Sequence, residues 1–269
     1  MPLLSWTLPL VFSLWPPAHS TKCPRVVSGS PQWTEVLFQL GKGECLVGAS
    51  QFSDYPEAAK KVPRIGPLFA PNIEVILQLK PEWVINDPLT RNPWLGQSLL
   101  AIGAKEYSAS ALNPKQLFDT CRSLLKEIFL ETSNEYLKEA EVSFMKRALA
   151  KSTFRFMAFA WADPPILIGP NTFLSEILAQ TGGLNILPKE WQTPYPQLSD
   201  EWLIAHTTPV IFHIREDSAS ETRIKSFIKK TWPKKVPLLV PLAPEKFSRS
   251  SFTPLHHIDE LRQVLESAL

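Results

Sequence analysis

Two glutamates, Glu74 and Glu201, draw attention by their position. Each lies two residues after a small polar residue, Asn72 or Ser199, that reads as a helix N-cap. A carboxylate in a first helical turn is favoured by the helix dipole and needs no partner. Aromatic side chains form a second set. Phe52 lies in Ser50-Gln-Phe-Ser-Asp-Tyr-Pro56, Tyr195 in Pro194-Tyr-Pro196, and Trp161 follows the apolar run Phe156-Met-Ala-Phe159. At strand ends and in loops, such faces either stack on a flat ligand or pack into the core. Arg91, Arg215 and Arg249 can hold an anionic ligand, or simply be solvated. Cys23 and Cys45 each precede an apolar β-like run, so neighbouring strands can bring them together. Such a disulfide suits an oxidising compartment, and free thiols are the alternative, with Cys121 left over on a helical stretch.

Catalytic and metal constellations do not emerge. There is no Gly-x-Ser-x-Gly elbow, Walker loop or His-Glu-x-x-His pair, and no Cys or His pair has zinc spacing. His256 and His257 are adjacent, so on a helix their rings point apart. Glu35 and Glu176 read as helix-terminal charges rather than an acid/base pair. The expectation is a binding protein that performs no catalysis and carries no cofactor of its own.

Composition narrows the partners. With 28 Lys+Arg against 26 Asp+Glu the net charge is +2, which gives no electrostatic case for nucleic acid. A hydrophobic fraction of 44% with 20% charged residues is that of a folded globular chain. Proline is abundant (26) and glycine scarce (10), which argues for rigid element boundaries and against Gly-rich phosphate loops. Residues 1–20 contain no charged side chain; an apolar run, Leu8 to Trp15, precedes Pro16-Pro-Ala-His-Ser20. They read as an export signal cleaved near Ser20, leaving a soluble extracytoplasmic protein. Lys22 stands where a lipoprotein signal needs a small residue, so a lipid anchor on Cys23 is not expected.

Strands and helices alternate after the leader. Arg25–Ser28, Cys45–Gly48 and Trp83–Ile85 read as strands. Ser30-Pro31, Asn72 and Asn113-Pro114 open helices between and after them. This predicts an α/β protein with parallel sheets. The second half echoes the first. Leu167–Leu178 repeats the pattern of Ser28–Leu37, with Glu176 and Glu35 141 positions apart. Ser199–Ile211 repeats Asn72–Val84, with Glu201 and Glu74 127 apart. Two similar lobes with a ligand cleft between them follow, each presenting one of the paired glutamates on its rim. Between Leu124 and Ala150 there is neither Pro nor Gly, so this stretch reads as a long helix, either a crossover or a rigid connector between lobes.

Several segments carry a family resemblance. Arg25-Val-Val-Ser-Gly-Ser-Pro-Gln-Trp-Thr-Glu35, Val47–Pro56, Asn72-Ile-Glu74 and Leu79-Lys-Pro81 resemble the N-terminal lobe of bacterial ABC-importer solute-binding proteins. Thr181–Ile186 and Pro194–Glu201 resemble the C-terminal lobe. The subgroup is the helical-backbone type that serves cobalamin, ferric siderophores and haem. The resemblance implies two Rossmann-like lobes, residues 21–123 and 151–269, joined by one rigid helix over 124–150. It also implies a periplasmic monomer that binds a small-molecule ligand, cobalamin or another metal chelate, and delivers it to an ABC permease dimer. Glu74 and Glu201 match the glutamates that dock onto permease arginines. Phe52 and Tyr195 match positions that hold the corrin ring in the cobalamin-binding member, and Trp161 is a further candidate. Leu68, Asp87 and Ile166 stand at three more ligand-contact positions where aromatics are expected. Arg249, with Arg91 and Arg215, would instead suit an anionic siderophore or haem propionates. A two-lobed sensor or adaptor without a transport role is the alternative of a different class.

Overall fold

The computed structural model describes residues 23–88, 93–147, 154–191, 193–215 and 217–269. The expected leader, its cleavage site and Arg91 lie outside the described residues. The first sheet contains β1 (Val26–Ser28), β2 (Leu46–Ala49), β3 (Trp83–Asn86) and β4 (Lys105–Ser108) in the order β2-β1-β3-β4. All its pairs are parallel. Helices α1 (Pro31–Gln39), α2 (Ile73–Gln78) and α3 (Pro93–Ala101) make the crossovers that parallel neighbours require. Local chemistry sets their starts. The Ser30 side chain accepts from the Trp33 N–H with Pro31 at the first position, and Asn72 accepts from Val75. Past the end of α1 the chain turns at Gly41, whose φ of +73° suits a residue without a Cβ.

The second sheet contains β5 (Phe154–Ala162), β6 (Pro165–Leu167), β7 (Gly183–Asn185), β8 (Val210–Ile214) and β9 (Leu238–Leu242). Its connecting helices are α6 (Phe173–Gln180), α7 (Asp200–Ala205) and α8 (Ser218–Thr231). β7 and β8 flank β5 in parallel and β9 follows β8, so β7-β5-β8-β9 reproduces β2-β1-β3-β4. The internal repeat is therefore a repeat of topology. The sheet departs from an all-parallel one at β6, which runs antiparallel to the outer half of β5. Only Asp163-Pro164 separates the two strands, and a two-residue loop can join only antiparallel neighbours.

The single helix expected over 124–150 is corrected to two. Helix α4 (Pro114–Ile128) ends at Phe129, Leu130 adopts φ +56°, and Asn134 caps α5 (Glu135–Lys146) by accepting from Leu137 N. Thr132-Ser133-Asn134 carries a start signal that a search for Pro and Gly alone passes over. The corner is tied to the end of α1: Asn134 Nδ2 donates to the Leu40 carbonyl (3.1 Å), and Lys42 pairs with Glu131.

One hydrophobic core runs through both halves. It joins Trp33 and Leu37 of α1, Leu117, Phe118 and Cys121 of α4, Phe156 and Phe212 of the second sheet, and Phe252 near the C-terminus. Phe118 and Phe252 rings lie 5.8 Å apart, so α4 packs directly on the C-terminal segment of α9 (Pro244–Phe247), α10 (Thr253–His256) and α11 (Ile258–Ala268). Smaller clusters cover the outer face of each sheet, around Val27, Ile76 and Val84 in one and Met157, Ile211 and Ile224 in the other. A disulfide joins Cys23 to Cys45, with Cα atoms 5.4 Å apart, and ties the approach to β1 to the turn before β2. Cys121 is a buried free thiol whose pKa burial pushes far up, so it stays protonated.

His213 on β8 is only 3% exposed. Burial pushes its pKa below the ordinary 6.5, and His256 is lowered in the same way. A histidine depressed by folding takes up its proton more readily when unfolded. Its contribution is thus complete above pH 6.5 and is lost as pH falls through its lower folded value. The urea midpoint should drop between pH 7 and pH 5, and the drop should be smaller in His213→Leu. Identical acid limbs in the two proteins would show that His213 does not contribute.

Candidate functional site

The carboxyl ends of the strands of both sheets open onto one cleft, a cavity of about 350 Å³. From the first lobe come Gln32 at the start of α1, Asp87 just after β3, and Leu112 in the loop after β4. The second lobe contributes Asn171 and Phe173 at the start of α6, Tyr195, Ile214 at the end of β8, and Arg249. Thr172 caps α6 as Ser30 caps α1, so the two repeated strand–helix turns both border the cleft.

The Pro194-Tyr195-Pro196 segment is seated on the backbone beside β6. Gly169 N donates to the Pro194 carbonyl (2.8 Å) and Leu167 N to that of Pro196 (2.9 Å). A Cβ on Gly169 would fall 2.8 Å from the Thr193 carbonyl, so glycine is needed for this approach. Tyr195 is held with its ring at the cleft. Partial burial and then the Asp87 carboxylate raise its phenol above the ordinary value of 10.

A buried carboxylate sits behind the cleft. Glu35 on α1 is fully buried; its Oε1 accepts from Ser251 Oγ (2.6 Å) and Thr253 Oγ1 (2.5 Å), and Arg249 Nη1 approaches Oε2 at 3.4 Å. Gln39 Nε2 donates both to Glu35 (3.3 Å) and to Thr253 Oγ1 (3.0 Å). The reading of Glu35 as a helix-terminal charge is therefore corrected. It lies mid-helix and joins α1 to residues more than 200 positions away, which no local pattern can reveal. Glu176 does sit in the first turn of α6. Arg249 Nη2 also donates to Asp54 (2.6 Å), on the loop that carries Phe52. That loop is anchored by hydroxyls. Thr34 Oγ1 donates to Ser53 Oγ (2.9 Å), Ser50 and Ser53 Oγ lie 2.8 Å apart, and Arg64 donates to the Ser53 carbonyl (2.8 Å).

Of the sequence candidates, the cleft brings together Asp87, Tyr195 and Arg249. Phe52 is 64% exposed on its loop, and Leu68 lies part-exposed in the turn before α2; neither lines the cavity. Trp161 and Ile166 face each other across the β5–β6 hairpin, where the indole N–H donates to the Asp163 carbonyl (2.8 Å) and Arg223 lies over the ring. Arg215 pairs with Glu221 (3.6 Å) in a groove separate from the cleft. Gln32, Leu112, Asn171 and Phe173 were not singled out from sequence; the repeated cap-and-helix turns that hold Gln32, Asn171 and Phe173 were the available signal. No group of three His, Cys, Asp or Glu among the described residues comes together as a metal site.

Glu74 and Glu201 are exposed in the first turns of α2 and α7, each two residues past a capping side chain. Because a crossover helix begins where its strand ends, both lie toward the cleft end of their lobes. Its own backbone amide, and then the Ser199 hydroxyl, hold the Glu201 carboxyl below the usual range. Neither glutamate has an ion-pair partner among the described residues.

Comparison with known proteins places this geometry. No family profile matches the chain. The chain is 29% identical over 194 residues to a vitamin B12-binding protein of Vibrio vulnificus, covering 70% of both chains. Its fold matches the periplasmic vitamin B12-binding protein BtuF of Vibrio cholerae with a TM-score of 0.73 at 23% identity, covering 91% of this chain and 97% of that one. The periplasmic haem-binding protein RhuT from Roseiflexus matches with a TM-score of 0.72 at 20% identity, covering 89% and 96%. The resemblance to the ABC-importer solute-binding proteins is thus borne out in sequence and in fold. No described helix is long and apolar enough to cross a membrane.

The Glu35 network makes a stability forecast. Removing one partner of a buried charge cluster strands the others, so Glu35→Ala should lower the unfolding free energy by about 3 kcal/mol. Asp54→Asn removes an exposed partner and should cost less than about 1 kcal/mol. Equal losses in chemical denaturation would show that the network is not centred on Glu35.

Proposed function

We propose that this chain, similar in sequence and fold to the solute-binding proteins of ABC importers, is an extracytoplasmic carrier that captures cobalamin or a related corrinoid. It hands the ligand to a membrane permease dimer and performs no chemistry on it. The observation that carries the reading is the cleft itself. Two equivalent βα turns face each other across a slot bordered by a tyrosine ring and by amide and apolar side chains. A corrin ring edged with amide groups suits such walls. Its flat face can lie on Tyr195, and its amides can meet Gln32 and Asn171. Export to the periplasm fits the Cys23–Cys45 disulfide, which an oxidising compartment permits. Haem is the second reading, favoured by the fold match to a haem-binding protein.

Capture needs little movement of the lobes. The common core passes from α1 and α4 to the C-terminal segment, so closing the cleft would have to shear packed side chains. The cleft is therefore close to its binding shape before the ligand arrives, which limits the ordering cost of capture.

A calorimetric panel of cyanocobalamin, cobinamide, haem and ferric chelates tests the ligand class. The corrinoids should bind tightest, and Tyr195→Ala should weaken them by about 1–3 kcal/mol. Phe52→Ala should do the same if its ring folds over the bound corrin. Binding of a polar nutrient such as a sugar, with no tetrapyrrole bound, would refute the reading.

Delivery is tested separately. Glu74→Lys and Glu201→Lys should abolish uptake through the reconstituted transporter, because like charges would meet at the docked contact. Each loses only a solvent-screened dipole contribution at an exposed first turn, so both should fold and bind ligand. Normal import by the two variants would return these glutamates to the role of helix-start charges.

A further inference from the structure

We propose that Glu35 and Asp54 set the ligand class of the cleft by masking Arg249, so that the site takes amide-edged or otherwise uncharged rings and refuses rings edged with carboxylates. The inference rests on the corrinoid reading of the cleft and deepens it.

Among the described residues, the charged side chains lining the cavity are Asp87 and Arg249. Arg249 is the cation that would receive a carboxylate. Its Nη2 is already hydrogen-bonded to Asp54 at 2.6 Å, and its Nη1 lies 3.4 Å from Glu35, with only 19% of its side chain exposed. Glu35 is itself immovable. Two hydroxyls, from Ser251 and Thr253, hold its other oxygen, and its side chain is 1% exposed. One guanidinium therefore meets two carboxylates. An incoming carboxylate would have to displace Asp54 from Arg249, leaving one guanidinium shared between it and the buried Glu35 carboxylate. An amide group meets no such barrier and leaves the Arg249 contacts intact. Glu35 acts through Arg249 and is a positioning residue.

The test compares two rings of one skeleton, cobinamide with amide side chains and cobyrinic acid with free carboxylates. Wild type, Asp54→Asn and Glu35→Gln/Asp54→Asn are titrated with both. The preference for cobinamide should fall roughly tenfold in Asp54→Asn and further in the double variant, since a released guanidinium offers a charge-assisted contact. Adding Arg249→Ala should restore the original preference. A second readout needs no ligand. Phenylglyoxal labelling of Arg249, followed by peptide mass spectrometry, should be slow in wild type and several-fold faster in Asp54→Asn, an exposed substitution that leaves the fold intact. Unchanged labelling overturns the masking. Faster labelling with an unmoved ring preference overturns the specificity role. Failure of wild type to bind either ring, with labelling still accelerated, overturns the corrinoid reading while the masking of Arg249 stands.

Discussion

A carboxylate withdrawn from water must be met by donors, and Glu35 is met by donors from the far end of the chain. Arg249, Ser251 and Thr253 all reach α1 from the stretch that runs from α9 into the first residue of α10, and Gln39 closes the set from the next helical turn. This contact determines where the C-terminal segment lies, and the C-terminal segment is one wall of the cleft. Through Arg249 and Asp54 the same network reaches the loop after β2. A single buried charge thus coordinates the first helix, the loop carrying Phe52 and the last third of the second lobe. The arrangement is costly to break, because each donor would be left without an acceptor away from solvent.

Duplication supplies the frame on which that contact acts. In each half the chain runs strand, capped helix, strand, helix, strand, helix, strand, with neighbour order β2-β1-β3-β4 in one and β7-β5-β8-β9 in the other. Parallel crossovers put helix starts at one end of a sheet. When two such lobes share a core, both sets of helix starts surround the cleft, and Glu74 and Glu201 occupy matching first turns at that end. The insertion of β6 breaks the correspondence in one place only. It extends the edge beside β5 and gives the Pro-Tyr-Pro segment a backbone to dock against, since Leu167 and Gly169 donate to it.

What was legible in the sequence follows from range of interaction. Caps at Ser30, Asn72, Asn113 and Ser199 are satisfied within three residues, and all four accept the amide that local chemistry assigns them. The repeat was legible because it replays such local signals in the same order. The break between α4 and α5 carries a local start signal at Asn134, which a search for Pro and Gly passes over, and a distant anchor reinforces it. Asn134 both caps α5 and donates to Leu40, so the corner needs no Pro or Gly breaker. Glu35 was beyond reach for a different reason, its hydroxyl donors lying more than 200 positions away. For the aromatics the limit was direction rather than distance. Tyr195 and Trp161 both follow apolar or proline-bounded runs, yet one lies at the cleft and the other packs on the β5–β6 hairpin.

A cleft built this way must select by its lining rather than by closing. Large domain closure lets a binding protein test a ligand from both sides before committing to it, at the cost of ordering mobile parts. Here the shared core and the Glu35 network hold the walls in place, so that cost is small and so is the opportunity for such testing. Discrimination then falls on whatever a ligand meets on entry: the shape of the slot, the Tyr195 ring and the charges at the wall. Shape separates flat macrocycles poorly from one another, because related rings offer nearly the same apolar face. Charge separates them well, because a carboxylate that finds no free cation is costly to bring out of water. The polar network that fixes the walls also occupies the cleft cation, so the rigidity of the walls and the selectivity proposed for the site would have a common origin in the carboxylate buried beneath α1.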